Sequence, residues 1–154
     1  MTVDIRGKWA LVTGASRGVG LQIVRGLAER GCHLVLHSRE LAHTEELQAE
    51  LRSRGVTAVP VAAELSDERQ VESMLNDTLR VADGIDILFN NAALMTPFRR
   101  SFLETPAEDF RLSFEINVIA PIRITHRLLP GMLRRGWGRI VQVTSGIQDQ
   151  PELM

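Results

Sequence analysis

The amino-acid sequence predicts an α/β protein built on a doubly wound parallel sheet, with three layers in the order α/β/α. Two features of the sequence lead to this fold class. Short apolar segments alternate with longer stretches of helical periodicity, and a glycine-rich turn joins the first apolar segment to the first helical one. A length of 154 residues suits one core and leaves no room for a second substrate domain. We therefore expect residues 1–154 to form a single domain.

Five short segments rich in leucine or β-branched residues are the expected strands. They are residues 8–13, 33–37, 57–61, 85–89 and 139–143. Such short apolar runs are typical of parallel strands that are covered by helices on both faces. The segments between them should supply those two layers of helices.

The first helix is expected over residues 19–30. Val19, Ile23 and Leu27 recur at intervals of four and form one apolar stripe. This stripe should pack on the sheet, and Gly31 should end the helix.

Two further helices are expected over residues 40–54 and 67–82. The second should use Ser66 as its N-cap, because a serine side chain accepts hydrogen bonds from the first free amides of a helix. Both helices carry charged residues on the face that should meet water.

A longer helix should begin at Pro106, with a kink at Pro121 and a stop before Pro130, because proline interrupts helical hydrogen bonding. An apolar stripe at four-residue spacing runs along it. Its members are Phe110, Phe114, Val118 and Ile122. At this spacing the stripe is expected to lie in the core.

Charge and cysteine content exclude several classes of function. With 18 basic and 19 acidic residues the net charge is −1, so we expect neither nucleic-acid nor membrane binding. Cys32 is the one cysteine, and the four histidines lack the spacing of metal ligands, so no metal site is expected. His33 and His37 are expected to be packing or edge residues. No apolar run approaches the roughly 20 residues that span a bilayer, and a cytoplasmic location is expected.

The turn after the first strand has the composition of an anion site. Residues 13–20 read Thr-Gly-Ala-Ser-Arg-Gly-Val-Gly, and a helix follows directly. Free amides and the positive end of the helix dipole point at such a turn, while glycines let a phosphate approach the main chain. A diphosphate-bearing ligand therefore fits this turn.

Two other kinds of protein have a similar glycine-containing turn. A nucleoside triphosphatase loop needs lysine with serine or threonine after its last glycine, and Leu21-Gln22 follows here. The stretch from Gly14 to Gly18 also satisfies G-x-S-x-G, with Ser16 as the nucleophile of a serine hydrolase. Only about a dozen residues precede it, too few for the earlier strand that would complete an oxyanion hole. A serine hydrolase that uses Ser16 is kept as the third of three candidate functions.

Four motifs together resemble the short-chain dehydrogenase/reductase family. They are Thr13-Gly-x-x-x-Gly18-x-Gly20, Asn90-Asn91-Ala92-Ala93 after the fourth strand, Asn117 in the next helix and Ser145 after the fifth strand. The resemblance implies a Rossmann-like sheet of order 3-2-1-4-5 and hydride transfer between a nicotinamide cofactor and a carbonyl or alcohol substrate. It also implies that the full-length protein is a homodimer or homotetramer, formed with the helix that follows Pro106.

The resemblance also assigns roles to individual residues. Cofactor-binding residues would be Gly14, Ser16, Arg17, Gly18, Val19 and Gly20 at the pyrophosphate and adenosine ribose, Glu64 and Leu65 at the adenine, and Asn91, Ala92 and Ala93 along the cofactor. Asn117 would support a proton-relay water. Ser145 would hydrogen-bond the substrate oxygen and stabilise the charge that develops there.

Charge favours NADP(H) over NAD(H). An enzyme that reads the free 2′-hydroxyl places a carboxylate after the second strand, whereas this chain has Ser38 and Arg39 there. Arg39, together with Arg17, can bind a 2′-phosphate through charge-assisted hydrogen bonds.

The sequence departs from the family pattern at the acid/base pair. The family uses a tyrosine followed four residues later by a lysine, whereas this chain has no tyrosine and its one lysine is Lys8. Ala93 also stands where the family motif after the fourth strand usually ends in glycine. We expect the chain to be the N-terminal portion of a longer reductase, truncated after the fifth strand and inactive alone. The alternative is a non-catalytic dinucleotide-binding module or sensor.

Overall fold

The computed structural model describes residues 3–97 and 99–144, which form an alternating series of strands and helices. The strands are β1 (Trp9–Val12), β2 (His33–Ser38), β3 (Ala58–Ala62), β4 (Ile87–Asn90) and β5 (Arg139–Gln142). The α-helices are α1 (Gly18–Glu29), α2 (Glu45–Ser53), α3 (Glu68–Val81), α4 (Ala107–Phe114) and α5 (Ala120–Arg134). A short 3₁₀ turn, Leu41–Thr44, precedes α2 where the sequence predicted one continuous helix. Within the described ranges, each helix is too short or too polar to cross a bilayer.

All neighbouring strands pair in parallel, in the order β3-β2-β1-β4-β5. The chain proceeds from β1 outward to β3 and then crosses back to β4 on the other side of β1. Open α/β sheets bind ligands at such a reversal, outside the carboxyl ends of the strands, which here are β1 and β4. The predicted doubly wound fold and the strand order implied by the resemblance are therefore confirmed.

Side chains of the central strands alternate between two cores, one on each face of the sheet. In β1, Leu11 packs with α3 and α5, whereas Ala10 and Val12 pack with α1 and α2. Val35 and Leu36 of β2 repeat this alternation. Successive residues of a strand point to opposite faces, so a continuous apolar run serves both layers.

The buried face of α1 differs from the predicted stripe. The helix buries Gly20, Val24, Leu27 and Ala28, whereas Val19 is 62% exposed. Val19 lies about 100° around the helix from Gly20, because each residue turns an α-helix by that angle. The expectation that Val19 packs on the sheet was wrong, since the face that includes Gly20 is the one that meets β1.

Asp67, rather than the predicted Ser66, caps α3. Its carboxylate accepts hydrogen bonds from the amides of Arg69 and Gln70 at 2.9 and 3.2 Å. The amide and then the side chain of Gln70 hold the pKa of Asp67 below its usual value. A carboxylate at this position also favours the positive end of the helix dipole.

The predicted stop before Pro130 was wrong, whereas the helix is irregular next to Pro121. The irregular segment is a π-helical stretch, Glu115–Ile119, that ends before Pro121. Pro121 lies in the first turn of α5, but the backbone before it is already helical, so the π-helical stretch lies next to the amide that proline lacks. The helix continues past Pro130 to Arg134, and the buried side chains of Leu128 and Met132 hold this stretch on the sheet. Burial on either side of Pro130 therefore outweighs one lost backbone hydrogen bond.

The apolar stripe along α4, the π-helical segment and α5 is exposed, so its expected place in the core was wrong. The exposed fractions are 37% for Phe110, 63% for Phe114, 41% for Val118 and 51% for Ile122. The opposite face of α5, with Ala120 and Ile124, packs on the sheet instead. We call these four exposed residues the apolar surface strip.

Candidate functional site

The turn between β1 and α1 lies at the carboxyl edge of the sheet, where the strand order reverses. Gly14 and Gly18 both have positive φ angles, 66° and 57°, in the region that strongly favours glycine. A side chain at Gly14 would also press on the loop after β4, because its Cβ would lie 3.0 Å from the Cα of Ala92. Around Gly18, in contrast, a Cβ would meet nothing within 4 Å. The turn is therefore tightly packed at Gly14 and open at Gly18.

Gly20 brings α1 into direct contact with the end of β1. A Cβ built on Gly20 would overlap the carbonyl oxygen of Gly14 and would lie 2.6 Å from Nδ2 of Asn91. These neighbours are backbone and a hydrogen-bonded amide, and neither can move away cheaply. The third glycine thus sets the close approach of helix and strand.

The N-terminus of α1 has the properties of an anion site. Its N-cap residue, Arg17, makes no capping hydrogen bond with its side chain, and the first turn contains no acidic residue. The leading amides of a helix need partners from outside the helix, and the helix dipole makes this end attractive to negative charge. The local structure therefore suits a phosphate next to Gly18.

Thr13 and Asn91 join the end of β1 to the loop that follows β4. The hydroxyl of Thr13 accepts hydrogen bonds from the amides of Asn91 and Ala92 at 2.9 and 3.0 Å, and it donates to the carbonyl of Phe89 at 3.3 Å. In return, Nδ2 of Asn91 donates to the carbonyl oxygens of Thr13 and Gly14 at 2.9 and 3.2 Å. These bonds clamp the two loops together. Sequence reasoning left Thr13 out of the site, although it opens the glycine motif.

Two arginines flank the turn. Arg17 and Arg39 are both exposed, and within residues 3–97 and 99–144 no carboxylate forms an ion pair with either of them. Ser38 is only 3% exposed, and its hydroxyl donates to the carbonyl of Glu40 at 2.7 Å. At this edge the two guanidinium groups therefore face solvent, while the serine hydroxyl shapes the turn after β2.

The predicted adenine contacts lie in the turn after β3. The amide of Glu64 donates to the side chain of Gln70 at 2.9 Å, and its carboxylate accepts from the amide of Ser66 at 3.3 Å. The side chain of Leu65 is buried in the core. Leu65 can therefore offer a ligand only its backbone.

Asn117 lies in the π-helical segment and holds the loop that leaves β4. Its Oδ1 accepts from the amide of Leu94 and its Nδ2 donates to the carbonyl of the same residue, both at 2.8 Å. Nδ2 also donates to the hydroxyl of Ser113 at 3.1 Å. Asn117 is thus brought to the edge that holds the glycine turn, whereas Ser145 lies outside the described residues.

A buried histidine that sequence reasoning assigned to packing also takes part in the turn. His37 is 2% exposed, and its ring lies between the amide of Gly14 and the carbonyl of Ala63. Burial lowers the pKa of His37 below its usual value. The signal in the sequence is an imidazole at the carboxyl end of an otherwise apolar strand.

A doubly wound parallel sheet with a glycine-rich turn at its carboxyl edge defines a Rossmann-like α/β domain. A model of the short chain dehydrogenase family matches residues 8–154, and the chain belongs to this family. The family resemblance carried by the four motifs is therefore confirmed.

Similar proteins agree with this assignment. Dehydrogenase/reductase SDR family member 4 of Rattus norvegicus is 34% identical over 141 residues, which are 92% of this chain and 50% of that protein. The structure of L-sorbose reductase from Gluconobacter frateurii, complexed with NADPH and L-sorbose, superposes with a TM-score of 0.87 at 33% identity, covering 97% of this chain and 57% of that one. A metagenomic short-chain oxidoreductase in complex with NADP gives a TM-score of 0.85 at 28% identity, covering 93% and 64%. The chain spans about half the length of the curated relatives it matches.

Proposed function

We propose that the protein is an NADP(H)-dependent oxidoreductase that transfers a hydride between the nicotinamide and a carbonyl or alcohol substrate. The observation that carries the proposal is the turn from β1 to α1. Its helix begins without a side-chain cap or an acidic residue, and open space surrounds Gly18. These properties fit the pyrophosphate of a dinucleotide. The bound nucleotide would supply the hydride, and the protein would bind and orient it.

In this proposal each loop of the carboxyl edge holds one part of the cofactor. The turn residues Gly14, Ser16, Arg17, Gly18, Val19 and Gly20 receive the pyrophosphate and adenosine ribose. Glu64 and the backbone of Leu65 face the adenine, while Asn91, Ala92 and Ala93 line the path toward the nicotinamide. The clamp between Thr13 and Asn91 keeps these loops at a constant separation.

Selectivity for NADP(H) comes from Arg17 and Arg39. Both guanidinium groups are exposed, and a 2′-phosphate would give them the anionic partner they lack among the described residues. Guanidinium binds phosphate through charge-assisted and often bidentate hydrogen bonds. Two of the similar structures contain NADP or NADPH, which supports the same preference.

Replacing Arg39 by alanine tests this preference. We expect Arg39→Ala to raise the Kd for NADP⁺ about tenfold, the worth of one charge-assisted hydrogen bond, and to leave the Kd for NAD⁺ nearly unchanged. Titration calorimetry with both nucleotides measures the two constants. Arg52→Ala, an exposed arginine on α2, is the matched control. An equal rise in the Kd of both nucleotides would contradict the proposed selectivity, and absence of NADP⁺ binding to the unaltered protein would contradict the proposed function.

For the chemical step, Asn117 would position a proton-relay water and Ser145 would bind the substrate oxygen. The chain contains no tyrosine. Its one lysine, Lys8, lies before β1 at the opposite edge of the sheet, 4.7 Å from the ring centre of Trp137. Residues 1–154 would therefore bind cofactor without transferring the proton. The same observation favours a dinucleotide-binding module without catalysis as the second candidate.

The geometry opposes a serine hydrolase that uses Ser16. Such an enzyme needs a histidine nitrogen free to take the hydroxyl proton. Both ring nitrogens of His37, which lies behind the turn, already have backbone partners in Gly14 and Ala63.

The apolar surface strip would join two copies of the chain. Exposed aromatic and aliphatic side chains in one row are typical of an interface rather than of a solvated helix. We expect static light scattering to give a dimer or tetramer mass for the protein, and Phe114→Gln to shift it toward the monomer. Val81→Gln, at an exposed valine of α3, should leave the mass unchanged. A monomer mass for the unaltered protein would refute self-association.

A further inference from the structure

His37 connects three segments at the carboxyl edge of the sheet. Two consecutive amides of the glycine turn end on this one residue: Ala15 donates to its backbone carbonyl at 2.9 Å, and Gly14 donates to its ring Nδ1 at 3.2 Å. The other ring nitrogen, Nε2, lies 3.1 Å from the carbonyl oxygen of Ala63, just after β3. With 2% of its surface exposed, the imidazole has no room for competing water.

These partners determine the tautomer of the ring. A backbone amide can only donate, so Nδ1 must carry a lone pair, and a carbonyl can only accept, so Nε2 must carry the proton. The neutral Nε2–H form satisfies both contacts. A protonated ring would present a second N–H to the amide of Gly14, and that hydrogen bond would be replaced by repulsion between two donors.

We infer that His37 is a positioning residue of the dinucleotide turn, and that its neutral imidazole holds Gly14 in the conformation that receives the pyrophosphate. The inference rests on the proposed function. It also states that protonation of the ring breaks the hydrogen bond from the amide of Gly14 and thereby weakens nucleotide binding. His37 would touch no part of the nucleotide and would act through Gly14.

Burial of the ring favours the neutral form near pH 7. Burial, the largest cause, lowers the pKa of His37, while the Ala63 carbonyl and the Glu64 carboxylate act in the opposite direction. Arg17 on the glycine turn and Arg39 after β2 are exposed, so solvent screens their repulsion of a protonated ring. Protonation of the folded protein is therefore expected only below the ordinary histidine pKa of about 6.5.

Two substitutions separate the two hydrogen bonds of the ring. In His37→Asn, a carboxamide oxygen takes the place of Nδ1 and can accept from Gly14 without titrating. In His37→Gln, the longer side chain reaches the place of Nε2 and can serve only Ala63. At about pH 7.5 we expect the Kd for NADP⁺ to stay within about threefold for His37→Asn and to rise about tenfold for His37→Gln, the equivalent of one hydrogen bond.

The pH profile supplies a readout that a merely structural role would not change. Because the 2′-phosphate itself titrates near pH 6, the quantity to follow is the ratio of Kd values between the unaltered protein and His37→Asn. Calorimetry from about pH 8 to about pH 5 should give a ratio that rises as the ring protonates, by up to about tenfold per pH unit below its pKa. A ratio that stays constant over the pH range in which the ring titrates, or equal Kd values for the two variants at pH 7.5, would overturn the inference.

Nuclear magnetic resonance of the nucleotide-free, unaltered protein keeps the inference testable if the variants fail to fold. The imidazole ¹⁵N shifts should identify the Nε2–H tautomer, and the amide of Gly14 should shift together with the titrating ring. A proton on Nδ1, or a Gly14 amide that ignores the titration, would overturn it. Absence of NADP⁺ binding at every pH would instead refute the proposed function.

Discussion

Gly20→Ala is expected to abolish measurable NADP⁺ binding and to lower the free energy of unfolding by about 3 kcal/mol, the upper range for an overpacked site. The new methyl group would overlap the carbonyl oxygen of Gly14 and would lie 2.9 Å from its carbonyl carbon. Relief of this overlap requires α1 to move away from β1, and that movement would displace the amides that are proposed to receive the pyrophosphate. Urea unfolding measures the stability and calorimetry the binding.

Gly26→Ala is the matched control for this substitution, because it lies on the same helix. A Cβ at Gly26 would meet only the guanidinium of Arg30, at an ordinary contact distance of 3.7 Å. Alanine favours the helix by up to about 1 kcal/mol, so this variant should be as stable as the unaltered protein or more so, with NADP⁺ binding retained. Equal losses in the two variants would mean that the close approach at Gly20 is not the cause.

Thr13→Val is the second substitution with a large expected effect. Valine preserves the shape of threonine but removes the oxygen that accepts from the amides of Asn91 and Ala92. Two partly buried amides would lose their acceptor, which costs about 1–3 kcal/mol for each group. We expect a loss of about 2–4 kcal/mol in the free energy of unfolding. NADP⁺ should also bind more weakly, because the loop after β4 is no longer held to β1.

Thr13→Ser retains the hydroxyl and provides the comparison. It should keep most of the stability and nucleotide affinity, with a small loss from the missing methyl group. If serine and valine weaken the protein equally, the hydroxyl is not what holds the two loops together. Amide hydrogen exchange at Asn91 and Ala92 would report the same clamp directly, with faster exchange expected only in the valine variant.

Local sequence signals located the fold and the glycine turn correctly, but several helix details depended on packing. The five strands lie within a few residues of their predicted positions, because a continuous apolar run has few other ways to be buried. The expected cap at Ser66 and the expected stop before Pro130 were wrong. The carboxylate of the neighbouring Asp67 caps α3 in place of Ser66. The helix α5 continues past Pro130 because the residues around this proline are buried against the sheet.

The sequence by itself determined the alternation of strands and helices, the position of the glycine-rich turn and the family, because periodicity and glycine spacing act over a few neighbouring residues. Only the tertiary structure decided the partners of Thr13 and His37, since their hydrogen bonds join segments that are distant along the chain. It also decided that Phe114 faces solvent. An apolar stripe in the sequence identifies a helix face that disfavours contact with water. Which helix face the sheet covers depends on how the layers pack together.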